Sequence, residues 1–276
     1  MRFFVTILVI FLLTIPTFAR VEYTCENYLK NKRHFAIANP VAENLVEKVL
    51  KKSIKREIGE GKYKVKFQGY TLSSMRKGVF KYLEIIGKNL EIESIPVKYL
   101  NLKTETDYNW IEYDKKPIIF KSDMVFSYHL ELTEDSINSA FKHKSFQAQL
   151  DKINKRAYPL FTLKDVTVRI RNNKLYVIME YDLPLSSSKK KRTFMASSNF
   201  KVVNGKIKAT NVHIDKSYGN IPLDKVTNLI NLIDPLTFTL KVLNDNNCQT
   251  RVENVKIDDN IIQINGRIDV KKTKSN

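Results

Sequence analysis

Ser74-Met75-Arg76-Lys77 places a serine and a lysine at the S-x-x-K spacing, where an amine one helical turn away can activate a hydroxyl for acyl transfer. The other parts of that chemistry are missing. No Lys-Thr-Gly triplet follows, and Ser122-Asp123 runs on into Met124 rather than an asparagine. His34, His129, His143 and His213 never pair at metal-ligand spacing, and Cys25 and Cys248 lie far apart, so no zinc set assembles. Gly59-x-Gly61 follows a helical pattern rather than a strand, which is the wrong context for a phosphate-binding loop. The acidic residues are scattered, and no pair stands out as an acid/base couple. The expectation is a non-enzyme with no catalytic residue, no metal and no cofactor.

Two segments suggest interfacial chemistry instead. Tyr108-Asn109-Trp110-Ile111-Glu112-Tyr113 runs into Asp114-Lys115-Lys116-Pro117 and holds the single tryptophan. Aromatic rings beside lysines suit the headgroup layer of a bilayer. They suit a half-buried connection between strands equally well. Pro184 to Arg192 is a serine- and lysine-rich loop whose Lys189, Lys190, Lys191 and Arg192 could meet anionic headgroups at about 1 kcal/mol per charge. Its plain alternative is a solvated loop. Trp110, Tyr113 and Lys189 to Arg192 are the membrane-contact candidates.

The N-terminus indicates the compartment. Arg2 precedes an apolar run from Phe3 to Ile15, Pro16 breaks it, and Thr17-Phe18-Ala19 ends on a small residue. This is the layout of a cleavable secretory signal over residues 1–19. The run falls short of the roughly 20 residues that cross a bilayer. Residues 20–39 form an N-terminal extension. The expected location is periplasmic or secreted, peripheral to a membrane. In an oxidising compartment a Cys25–Cys248 bridge would close a very long loop, worth up to ~5 kcal/mol in the chain-entropy picture. Two reduced thiols are the alternative. The formal charge of +18 would suggest nucleic acid in a cytosolic protein. Export turns that reading toward anionic lipid or an anionic envelope polymer, with no nucleic acid partner.

Positioning these residues requires both helices and strands. Asn39-Pro40 opens an amphipathic helix with Val41, Leu45, Val49, Ile54 and Ile58 on its stripe, joined by Val46 and Leu50, and Gly59 and Gly61 stop it. Tyr63/Val65/Phe67, Leu90/Ile92, Ile95/Val97 and Leu100/Leu102/Thr104 alternate as half-buried strands, and one further strand is expected over 117–132. Thr133 caps a second helix, with Glu134 and Asp135 in its first turn. Its stripe of Ile137, Ala140 and Phe141 continues through Phe146, Leu150 and Ile153 to Tyr158-Pro159. Val166/Val168/Ile170 and Leu175/Val177/Met179 flank Asn172-Asn173. Strands at 194–203 and 207–214 flank Asn204-Gly205, a strong hairpin signal. A third helix carries Val226, Leu229, Ile230 and Ile233. Strands at 236–242, 251–257 and 262–270 follow, and 271–276 is expected to be a disordered tail. Helices that interrupt blocks of strands without alternating one-to-one indicate α+β with antiparallel sheet.

A family resemblance rests on particular segments. Gly78-Val79-Phe80-Lys81-Tyr82-Leu83-Glu84-Ile85, then Lys88-Asn89-Leu90-Glu91-Ile92 and Leu100-Asn101-Leu102, resemble the first half of the LmeA-like phospholipid-binding family. Val125 to Leu132 running into Thr133-Glu134-Asp135-Ser136-Ile137 resembles that family's strand and following helix start. The likeness extends over 40–270, taken as a single domain. It implies an elongated fold of the tubular lipid-binding kind, in which a strongly curved antiparallel sheet wraps around amphipathic helices and leaves an apolar cavity. It implies an exported phospholipid-binding protein that holds or shuttles lipid in the cell envelope. The stripe residues Leu45, Val49, Ile54, Ile137, Phe141, Leu150, Val226 and Ile230 are the candidates to line such a cavity, and an ordinary filled core would use the same residues. Taking a two-chain lipid out of a bilayer exposes on the order of 30 methylenes at ~0.8 kcal/mol each, so a carrier must enclose the tails. The alternative is a basic, non-catalytic envelope protein that binds anionic polymers or a membrane surface.

Overall fold

A computed structural model describes residues 40–92, 95–112, 119–157, 162–182, 192–214, 248–258 and 260–273. The first helix, α1, spans Pro40–Ile58. It ends where Gly59 takes φ 112°, a left-handed conformation that glycine adopts without a Cβ clash. Leu50 and Ile54 are buried, with Ala42 and Val46 packed against the core, so the apolar stripe runs through 42, 46, 50 and 54.

Strand β1 (Lys62–Gly69) alternates as the sequence predicts, with Tyr63, Val65 and Phe67 inward and three lysines outward. A short helix not anticipated from the pattern, α2 (Leu72–Arg76), turns the chain. Then come β2 (Val79–Ile92) and β3 (Ile95–Thr104), each a single long strand. β4 (Asn109–Glu112) and β5 (Ile119–Phe120) form a small hairpin, followed by β6 (Met124–Thr133). The single strand expected over 117–132 is therefore two. Asp123 separates them and accepts the backbone N–H of Lys272 at 2.7 Å.

The helix expected from Thr133 onward is also two, α3 (Glu134–Lys142) and α4 (Lys144–Ala157). His143 takes an extended conformation between them, and its carbonyl accepts N–H bonds from Phe146 and Gln147. Strands β7 (Thr162–Arg171), β8 (Lys174–Asp182), β9 (Arg192–Val203) and β10 (Lys206–Ile214) form a meander. Its two tight turns place Asn172, Asn173, Asn204 and Gly205 at positive φ, as two-residue hairpin turns of this type require. β11 (Cys248–Asp258) and β12 (Ile261–Val270) complete the fold. The expected third helix and the strand over 236–242 lie outside the described residues.

All pairings among the described strands are antiparallel. One sheet has eight strands: β11, β12, β6, β3 and β2 are neighbours in that order, β1 pairs with β2, and the β4–β5 hairpin extends from the start of β2. The other has four, in the order β10-β9-β8-β7. The architecture is α+β and mostly β. One contiguous apolar cluster takes residues from α1, α3, α4 and both sheets. The sheets meet where Val252 of β11 donates its N–H to the Gly205 carbonyl at 3.0 Å.

Helix side chains bond to two strands' main chains. Asn138 of α3 accepts from the Val168 N–H at 2.8 Å and donates to the Val168 carbonyl at 3.1 Å. Glu134 accepts from the Ile170 N–H at 3.0 Å. Asn154 of α4 bonds both groups of Leu163, at 2.8 and 2.9 Å. On β1, Glu47 and Glu43 of α1 accept the N–H groups of Phe67 and Gly69 at 2.8 and 2.9 Å. Beyond β12, Thr273 exchanges bonds with Phe120 of β5, within the stretch expected to be a frayed tail.

Candidate functional site

The lipid-cavity candidates fall in three groups. Ile54, Ile137, Phe141 and Leu150 are buried together in the apolar cluster, and the Phe141 and Phe146 rings pack at 4.6 Å where α3 meets α4. Val49 is half-buried, and Leu45 is 58% exposed on the flank of α1 beside the buried stripe. Val226 and Ile230 lie outside the described residues. The capping expected at Thr133 is present. Its hydroxyl accepts the Ser136 N–H, and the Ser136 hydroxyl accepts the Thr133 N–H, which fixes where α3 leaves β6.

The apolar interior contains hydroxyls that no sequence pattern singles out. Tyr128 faces inward from β6 beside Leu130 and Leu132, and its hydroxyl is buried with no hydrogen-bond partner among the described residues. Burial, and to a lesser degree Glu253, pushes the Tyr128 phenol well above its usual range, so it stays neutral. Ser198 of β9 shares the inward face with Phe194 and Ala196, and its hydroxyl is likewise buried and unpaired among the described residues. A buried hydroxyl without a partner costs about 1–3 kcal/mol. Each can donate to or accept from a polar atom brought in by a ligand.

The aromatic segment is anchored by Asn109, which is fully buried. Its amide donates to the carbonyls of Lys81 and Thr106 at 3.1 and 2.9 Å, and its oxygen accepts from the Thr106 hydroxyl at 2.7 Å. Trp110 is half-buried opposite Val79, and its indole Nε1 is buried without an acceptor among the described residues. The Tyr70 and Tyr108 rings lie 6.4 Å apart, and the Tyr70 hydroxyl donates to the Asp107 carbonyl. Tyr113 and Lys189 to Lys191 lie outside the described residues, while Arg192 is exposed at the start of β9. Cys248 is buried at the start of β11, and Cys25 lies outside the described residues.

On the outer face of the eight-stranded sheet, Glu84 of β2 joins two strands. Its carboxylate receives Lys66 Nζ at 2.7 Å and the Asn101 amide at 3.2 Å. Burial pushes Glu84 up, but the bonds from Lys66 and Asn101 outweigh it and hold the carboxyl below its ordinary value. Farther along, His129 Nδ1 lies 2.6 Å from Asn265 Oδ1, and its ring meets Tyr99 edge-on at 5.6 Å. Ser74, the serine of the S-x-x-K spacing, is buried in a capping box, with its hydroxyl bonding the N–H and carbonyl of Thr71. No group of three or more His, Cys, Asp or Glu side chains among the described residues could hold a metal ion. No described helix is long and apolar enough to cross a membrane.

No family model matches the chain, and no curated protein or solved structure matches it either.

Proposed function

We propose that the protein is an exported phospholipid-binding protein that holds or shuttles lipid in the cell envelope and associates peripherally with anionic membranes. The observation that carries this reading is the pair of buried, unpartnered hydroxyls, Tyr128 and Ser198, inside an apolar cluster shared by both sheets and the helices. Acyl chains need an apolar enclosure, and polar linkage atoms need a few donors within it. The segments that resemble the LmeA-like family fall on β2, β3 and the β6-to-α3 junction, with α1 ahead of them, and this element order supports the same reading. In this proposal the sheets curve around the helices to enclose the tails, with Ile54, Ile137, Phe141 and Leu150 on the lining. No step of catalysis is assigned. The basic composition favours anionic lipid as the partner.

Native mass spectrometry of protein purified without detergent tests the proposal. The expected result is co-purified phospholipid at a fixed stoichiometry, reduced when Ile137 or Phe141 is replaced by a bulkier or polar residue that leaves the protein folded. A lipid-free protein that stays lipid-free after incubation with vesicles would rule the reading out. The second reading, a filled core with a basic surface for anionic polymers, would then be left, because the net charge alone supports it.

A further inference from the structure

The strand register of the four-stranded sheet assembles a charge pattern from distant parts of the chain. Leu175 pairs with Ser198, so the turns at Asn172-Asn173 and Asn204-Gly205 sit at the same end of the sheet. On the face turned away from the core, that end carries Arg169, Arg171, Lys174, Lys201, Lys206 and Lys208, all exposed. Arg171 stands directly opposite Lys174, and Lys201 directly opposite Lys208. None of these cations makes a salt bridge among the described residues. Acids occupy the other end of the same face, where Asp165 stands opposite Glu180. The nearby cation Arg251 is already matched by Asp269 at 3.3 Å.

Like charges directly across a strand pair destabilise a sheet, and both basic pairs stand without an acid among the described residues. The segregation therefore works against the sheet's stability and has its value toward something outside it. We propose that this basic end is the surface by which the protein docks on anionic bilayers, with the cations on phospholipid headgroups. The proposal deepens the lipid-binding reading above by giving the protein an orientation. Strands about 4.8 Å apart spread the cations in two dimensions over a width of roughly 14 Å. A planar layer of headgroups meets such an array everywhere at once, whereas a linear polyanion tracks a single groove. Half-buried Tyr176, Ile178 and Met195 lie on the same face beside the cations. Arg192, by contrast, lies at the opposite, acidic end, where it pairs with Tyr181.

Two variants with equal charge loss test this. One carries Arg171→Gln, Lys174→Gln, Lys201→Gln and Lys208→Gln. The other carries Lys189→Gln, Lys190→Gln, Lys191→Gln and Arg192→Gln. Flotation with vesicles of phosphatidylglycerol in phosphatidylcholine at low salt is the readout. The face variant should partition on the order of several hundredfold less, about fivefold per removed charge. The loop variant should stay within a few-fold of the parent. The face variant should unfold no earlier than the parent, because it loses only repulsive pairs. The proposal is overturned if the face variant floats like the parent, if both variants lose equally, or if the parent binds polyphosphate but not vesicles. Native mass spectrometry separates this outcome from the lipid reading. Phospholipid retained by a variant that still floats removes the docking face alone. A lipid-free parent whose flotation depends on the face removes the lipid reading alone.

Discussion

At the scale of single residues, Glu84 and Tyr63 are two of the side chains through which the fold answers to pH. Glu84 titrates below its unfolded value because Lys66 and Asn101 hold the charged form. Its contribution is therefore present above the unfolded carboxylate range and disappears as pH falls through the folded value. Lys66 is half-exposed, so solvent screening keeps the pair's contribution small. A Glu84→Gln variant should be less stable than the parent in urea at neutral pH, and the gap should close in acid. A gap that persists in acid would mean the pair is not its source. Tyr63 behaves oppositely. Burial, assisted by Glu60, raises its phenol to about 12, and its hydroxyl donates to the Gly59 carbonyl at 3.2 Å. The unfolded phenol ionises first as pH rises from 10.0, so stability should drain away between there and about 12. Tyr63→Phe should flatten this alkaline limb, as read from denaturation midpoints across the pH series. Gly266 is a third sensitive point. A Cβ there would lie 2.1 Å from the Arg251 carbonyl oxygen and 2.6 Å from the Tyr128 hydroxyl. Gly266→Ala should cost several kcal/mol, at the upper end of what single substitutions do, and most of the protein should be recovered unfolded or aggregated.

At the scale of elements, the residues that announce a local conformation were readable and those that act across the fold were not. Asn172-Asn173 and Asn204-Gly205 name their turns because positive φ restricts the choice of residue. Thr133 names its cap, and Gly59 names the end of α1, for similar local reasons. The break at His143 carried a fainter signal. Phe141 and Phe146 are five residues apart, one more than a continuous helical stripe allows, and that slip marks the boundary between α3 and α4. The stripe on α1 reads in sequence as Val41, Leu45, Val49, Ile54 and Ile58, joined by Val46 and Leu50. The helix turns Val46, Leu50 and Ile54 inward and leaves Leu45 exposed, with Glu43 and Glu47 reaching the N–H groups of β1. Asn138 and Asn154 look like solvent-facing polar positions in a one-dimensional pattern. Their roles appear only when β7 lies beside them. Asn138→Ala should cost about 1–3 kcal/mol by leaving both main-chain groups of Val168 unmet. Asn138→Asp should recover part of that through the retained acceptor. Chemical denaturation of the pair checks the order parent, aspartate, alanine.

At the scale of the whole molecule, net charge was visible in the sequence and its distribution was not. Arg169, Arg171 and Lys174 lie about thirty residues from Lys201, Lys206 and Lys208, and only strand register brings them to one end of one face. The interior hydroxyls were hidden in the same way, because Tyr128 and Ser198 occupy ordinary positions in alternating strands. The proposed docking through exposed cations also carries a salt dependence. Vesicle binding should weaken steeply as the Debye length shortens from ~10 Å at 0.1 M to ~3 Å at 1 M. Phospholipid already held in an apolar interior should be retained over the same range. Flotation and lipid content measured on one salt series should therefore part company.

The side chains that reach from α1, α3 and α4 to the strand backbones have a consequence for self-association. An uncovered strand is a template for the next copy of the same strand. Here the cover over β1 is two carboxylates, and over β7 two amides and a carboxylate. Until those helices dock, a nascent chain presents two such templates at once, so a slow-docking or truncated chain would join edge to edge with its copies. The helices thus guard these two edges against pairing with another copy, through a handful of polar tips.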